Sequence, residues 1–76
     1  MTQIAWQCRR GMRELDELLL GYLENRYERA PAADKEAFQA LLELPDLELI
    51  GYLLHQEQPA AELARVVEHI LDRTYP

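Results

Sequence analysis

Arg9-Arg10-Gly11-Met12-Arg13-Glu14-Leu15-Asp16-Glu17-Leu18-Leu19-Leu20-Gly21-Tyr22-Leu23 holds the reading on which the fold turns. Its second half is periodic: Leu15, Leu18, Leu19, Tyr22, Leu23 and, further on, Tyr27 share one face of a helix. Asp16, Glu17, Glu24, Asn25 and Glu28 fall on the opposite face. The spacing predicts a helix from Met12 to about Arg29, with Glu14, Asp16 and Glu17 in first turns that favour negative charge. Its first half is a break. Glycine inside a helical pattern costs about 0.5–1 kcal/mol relative to alanine, so Gly11 marks a stop, a bend or a close approach. Three of the eight basic residues crowd around that break. Residues 1–14 carry Arg9, Arg10 and Arg13 against Glu14, whereas the rest of the chain carries five basic and thirteen acidic side chains. A basic point on an acidic body is suited to docking something negatively charged.

Outward from this stretch, residues 3–10 form a short helix or helical turn. Ile4 and Cys8, at i and i+4, give it one apolar edge, and Trp6 is expected to cover the core with its ring face. Downstream, Pro31 ends the second helix and serves the first turn of a third, or Asp34 caps it. Ala37, Phe38, Leu41 and Leu42 make that helix's stripe, which runs to about Leu44. Asp46 is the expected N-cap of a fourth helix that buries Leu49, Ile50, Leu53 and Leu54. After Pro59, a fifth helix with Leu63, Val66, Val67, Ile70 and Leu71 inward runs to about Arg73, and Tyr75-Pro76 fray. No segment alternates with period two. The expectation is an all-α fold, a compact bundle of about five short helices, in a single helical domain over residues 1–76.

Composition narrows the function. The 76 residues bury only about 60% of the surface an unfolded chain exposes, which disfavours a deep walled cleft. A net charge of −6 disfavours general nucleic-acid binding. Cys8 is the only cysteine, so no internal disulfide forms and a reducing compartment is expected. Cys8, His55 and His69 are too few and too scattered for the four ligands of a zinc site. No run approaches the roughly 18 apolar residues of a membrane span, and the N-terminus has no signal-peptide pattern, so a soluble, cytoplasmic protein is expected. There is no phosphate loop and no dinucleotide glycine fingerprint. Serine is absent, and threonine occurs only at Thr2 and Thr74. Enzyme chemistry is not expected. Recognition remains: Arg10, Gly11 and Glu14 form an Arg-Gly-x-x-Glu unit, in which a planar guanidinium suits a carboxylate or phosphate and glycine lets a partner approach the backbone.

Trp6-x-Cys8-Arg9-Arg10-Gly11-Met12-Arg13-Glu14-Leu15-Asp16 resembles the signature of the SdhE (YgfY) family of succinate dehydrogenase assembly factors. Asp46-x-Glu48-Leu49-Ile50-x-Tyr52-Leu53, followed by Pro59, resembles that family's second block. Tyr52 stands where the family usually has tryptophan, Ile50 replaces an aromatic, and Glu57 occupies a usual turn glycine. The resemblance implies a small five-helix protein that binds the flavoprotein subunit of succinate dehydrogenase or fumarate reductase and promotes covalent attachment of FAD. It implies Arg10, Gly11 and Glu14 as partner-binding residues, with Arg9 and Asp16 as neighbours and Tyr52 as either a core residue or a surface anchor. FAD would be handled through the partner and not bound stably, by a chain that is monomeric when free. The alternative is an interaction module without a flavin role, such as an antitoxin-like regulator.

Overall fold

The computed structural model describes residues 3–72. Helix α1 spans Gln3–Gln7, α2 Arg13–Asn25, α3 Ala32–Leu42, α4 Asp46–Leu54 and α5 Ala61–Leu71, with a 3₁₀ turn at Tyr27–Arg29. Among the described residues there is no strand. The all-α bundle read from periodicity is the observed fold. Helix α5 packs against α2, α3 and α4, which makes its apolar face the centre of the core. Leu63, Val66, Val67 and Ile70 supply that face and meet Leu15, Leu19 and Tyr22 of α2, Phe38, Leu41 and Leu42 of α3, and Leu49 and Leu53 of α4. The radius of gyration is 11.2 Å. A folded chain of this length is expected at about 11 Å, so the helices are closed around one core.

Four local expectations are corrected. Trp6 does not cover the core; it is 66% exposed. Ile4 packs against the core and Cys8 is buried, and Trp6 lies two residues from each, about 200° around the helix. Leu71 is likewise outward, at 38% exposed, because Ile70 takes the inward position beside it. Asp34 is not a cap: it lies in the first turn of α3, is buried, and turns toward α5, where Arg65 and His69 meet it. Asp46 is not a cap either. Pro45 holds the N-cap position at φ −62°, ψ 154°, and Asp46 opens the helix with its carboxylate turned to Arg10.

Two helix ends also differ from expectation. Helix α2 stops at Asn25 because Arg26 leaves helical geometry (φ −130°, ψ −29°), and the 3₁₀ turn then brings the Tyr27 ring to 5.5 Å from Phe38. The Tyr27 hydroxyl accepts a hydrogen bond from Gln39 Nε2 at 2.8 Å. Helix α5 stops at Leu71, short of Arg73, and the expected fraying of Tyr75-Pro76 lies outside the described residues.

At the end of α4, Gln56 carries φ +57°, the left-handed region that L side chains enter only at a cost. The reversal lets His55 N–H reach Ile50 O at 3.1 Å and Glu57 N–H reach Gly51 O at 2.9 Å, which satisfies carbonyls the helix leaves open. The left-handed residue is thus Gln56, one place before Glu57. Gln56→Gly should raise the unfolding free energy by about 0.5–1 kcal/mol, measured by denaturant titration. A loss of stability would show that this turn is not left-handed in solution.

Candidate functional site

The break predicted at Gly11 is a left-handed turn. Gly11 has φ +83°, and a Cβ built there meets no atom within 4 Å. Backbone conformation, and not crowding, therefore selects glycine. Arg10 donates its backbone N–H to Asp16 Oδ1 at 2.6 Å, so a carboxylate in the first turn of α2 closes the loop that precedes the helix. The arrangement resembles a capping box, in which an early acidic residue reaches back to a backbone donor.

Arg10 ties this loop to the rest of the bundle. Its guanidinium donates to the Leu42 carbonyl at the end of α3 and to Asp46 Oδ1 at 3.3 Å at the start of α4. The side chain is only 17% exposed. The two sequence blocks that carry the resemblance, 36 positions apart at this bond, therefore meet in space through Arg10 and Asp46. Arg10 does not pair with Glu14, because Gly11 and Met12 lie outside a helix and break the i, i+4 geometry.

Around this buried staple the surface is open. Arg9, Gly11 and Glu14 are exposed, and the Arg9 and Glu14 side chains make no hydrogen bond or ion pair among the described residues. Arg13 pairs with Glu17 at 3.3 Å, one turn along α2, while remaining 91% exposed. Trp6 stands on the helix before the turn. Leu47, next in the chain to Asp46, is 80% exposed. Large apolar side chains left open beside unpaired charges are the composition of interface anchors.

Tyr52 belongs to a different feature. It is half-buried against the core and lines a cleft of about 210 Å³ with Gln56, Glu57, Pro59, Val67 and Leu71. Helix rise places it about 9 Å along α4 from Asp46. The structure thus joins Arg10 and Asp16 by a direct hydrogen bond across the Gly11 turn, presents Arg9 and Glu14 beside them, and sets Tyr52 apart.

Burial pushes the Cys8 thiol up to about 11, with the Arg10 charge pulling weakly the other way, so the sulfur stays protonated near neutral pH and is a poor nucleophile. Among the described residues no group of three or more His, Cys, Asp or Glu is placed to hold a metal ion. Sequence reasoning missed Trp6, Leu47 and Asp46 as members of this region. The Ile4/Cys8 edge already excluded Trp6 from the inner face, and that spacing was the available signal.

A family model described as "Flavinator of succinate dehydrogenase" matches residues 2–74. The FAD assembly factor SdhE of Pseudomonas aeruginosa is 38% identical, over all of this chain and 92% of its own length. The protein of the same name from Shewanella oneidensis is 39% identical over all of this chain and 94% of its own. That from Haemophilus ducreyi is 35% identical over 90% of this chain and 84% of its own. No solved structure gives a significant match. The fold, the joined signature blocks and a match that runs almost end to end agree: this chain belongs to the flavinator of succinate dehydrogenase family.

Proposed function

We propose that this chain is an assembly factor that binds the flavoprotein subunit of succinate dehydrogenase and promotes covalent attachment of FAD to it. The observation that carries the reading is the family match over residues 2–74, with relatives named FAD assembly factor SdhE matched over 84–94% of their own length. The geometry supports it by leaving Trp6, Arg9, Gly11 and Glu14 exposed around a turn that Arg10 and Asp16 hold in shape. We assign docking contacts to Arg9, Gly11, Glu14 and Trp6. Arg10 and Asp16 act as positioning residues, because the Arg10 backbone N–H and both terminal guanidinium nitrogens, and Asp16 Oδ1, are already engaged within the chain. Tyr52, on the separate cleft about 9 Å along α4 from Asp46, is assigned an independent second contact.

The factor would act by orientation and not by bond-making. Holding FAD and its acceptor side chain in register on the partner removes several kcal/mol of a barrier without a catalytic group in the factor. FAD is then handled through the partner. The clefts of about 260 and 210 Å³ are smaller than the roughly 300–1,000 Å³ that buries a drug-sized ligand, which supports this assignment. Fumarate reductase, whose flavoprotein presents the same task, is a second client in this reading. The free factor is a cytoplasmic monomer: its net charge of −6 keeps copies apart and disfavours nucleic acid. Among the described residues no helix is long and apolar enough to cross a membrane, so insertion into the bilayer is not part of the mechanism. The regulator without a flavin role finds no support in the relatives' names.

The test is complementation in cells that lack their own factor, with covalent flavin fluorescence of the flavoprotein subunit read after denaturing electrophoresis. The chain should restore the fluorescent band. A subunit that stays dark while the factor is expressed and folded would refute the assignment.

A further inference from the structure

A second basic locus lies at the far end of α2 from Gly11. The 13 residues of α2 span about 20 Å, and where they end, Arg26, Arg29, Arg65 and His69 gather around a cleft of about 260 Å³. Three guanidiniums on a chain of net charge −6 are costly to assemble without a use. One acidic residue, Asp34, lines the cleft with them. Its Oδ2 lies 3.4 Å from Arg65 Nε and 3.8 Å from His69 Nδ1. Its charge is offset by the Arg65 guanidinium beside it. Arg26 reaches Asp72 at 3.4 Å. The Arg29 side chain donates to the Asn25 carbonyl at 3.1 Å and meets no carboxylate among the described residues.

Tyr22 is the independent observation. It lines the cleft, is fully buried, and its hydroxyl has no hydrogen-bond partner. A buried hydroxyl left unpaired costs about 1–3 kcal/mol, so native structures rarely keep one without a reason. Burial pushes the Tyr22 phenol above its ordinary range, so it remains an O–H donor near neutral pH. Helix α3 also begins at this cleft with no side-chain cap, which leaves the positive end of its dipole open. The free groups converging here are donors and cations.

We propose that this cleft binds a small oxyanion, a phosphate or carboxylate group, held by Arg29, Arg65 and the Tyr22 hydroxyl. The Arg65 side chain, 68% exposed, is free to swing and admit the ion to the hydroxyl. The site is separate from the docking turn and does not depend on the proposed role in flavin attachment.

The test is a titration of the free, full-length chain by ¹H–¹⁵N NMR at constant ionic strength, with inorganic phosphate in one arm and malonate in the other. Saturable shifts at Tyr22, Arg29, Arg65 and His69 in the millimolar range are expected. The arm that saturates first identifies the group as phosphate or carboxylate. Tyr22→Phe removes one oxygen that is unpaired in the free protein, so it should not lower stability, yet it should weaken binding several-fold. Arg29→Gln, at an exposed position, should weaken binding about tenfold. Shifts that do not saturate in either arm would overturn the site. So would shifts that map to Arg9 and Arg13, or equal affinities in the wild type and both variants.

Discussion

Ile70→Ala should cost about 2–5 kcal/mol of folding stability, while Leu71→Ala, one residue along, should change it by about 0.5 kcal/mol or less. Ile70 is fully buried on α5, the helix that touches α2, α3 and α4. A void left there is walled by several helices at once, so collapse of any one of them cannot fill it. The cost therefore sits toward the top of the range for large-to-small substitutions, where residual cavity volume adds to lost transfer energy. Leu71 faces the cleft beside Tyr52 and is already partly in water. For a chain of 76 residues, whose total stability is near the low end of about 5–15 kcal/mol, Ile70→Ala approaches global unfolding. Urea titration followed by far-ultraviolet circular dichroism measures both variants. Similar losses for the two would mean that α5 is rotated from its described register.

The same pair of residues shows where periodicity is legible and where it stops. A helix stripe at i, i+3, i+4, i+7 and i+8 names five candidates on α5, and four of them are buried. The fifth, Leu71, falls at the edge of the arc, and only the position of neighbouring helices decides which edge is covered. Trp6 shows a weighting error instead. Its size and hydrophobicity argue for the core, but its angle relative to Ile4 and Cys8 argues for solvent, and angle wins because a five-residue helix has only one face to bury. Asp34 was readable from spacing in principle. It precedes Phe38 and Leu41 at i+4 and i+7, which sets a carboxylate on the inner face, and Arg65 and His69 stand four apart on the helix that meets it. The partnership across 31 positions is a tertiary fact that no local window contains.

The motif divides in the same way. That Gly11 begins a turn follows from its place between a basic cluster and a periodic run. That Arg10 faces inward does not follow, because its acceptors, the Leu42 carbonyl and Asp46, arrive from the connection between α3 and α4. A signature residue can thus be required for the shape of a surface without forming part of it.

Docking of the apo flavoprotein subunit should separate these roles, and Gly11 gives the sharpest comparison. At φ +83° any L side chain pays about 1–2 kcal/mol in the left-handed region, so Gly11→Ala and Gly11→Arg share the same backbone cost. The two differ in bulk. Position 11 is exposed and a Cβ there meets no atom within 4 Å, so an arginine can extend into solvent from it. Both variants should unfold at similar, slightly reduced denaturant midpoints. If a partner's surface fills that space, Gly11→Arg should abolish measurable binding by calorimetry, whereas Gly11→Ala should lose much less. Trp6→Ala and Glu14→Ala should keep wild-type stability and weaken docking by about 2 kcal/mol or more, as truncated interface anchors do. Arg10→Ala should behave in the opposite sense. It leaves the part-buried Leu42 carbonyl without its donor, while the half-exposed Asp46 turns to water, lowering stability by about 1–3 kcal/mol, and it weakens docking only through the altered turn. Equal docking losses for Gly11→Ala and Gly11→Arg would place the role of Gly11 in backbone shape alone. Undiminished docking by Gly11→Arg would remove this turn from the interface.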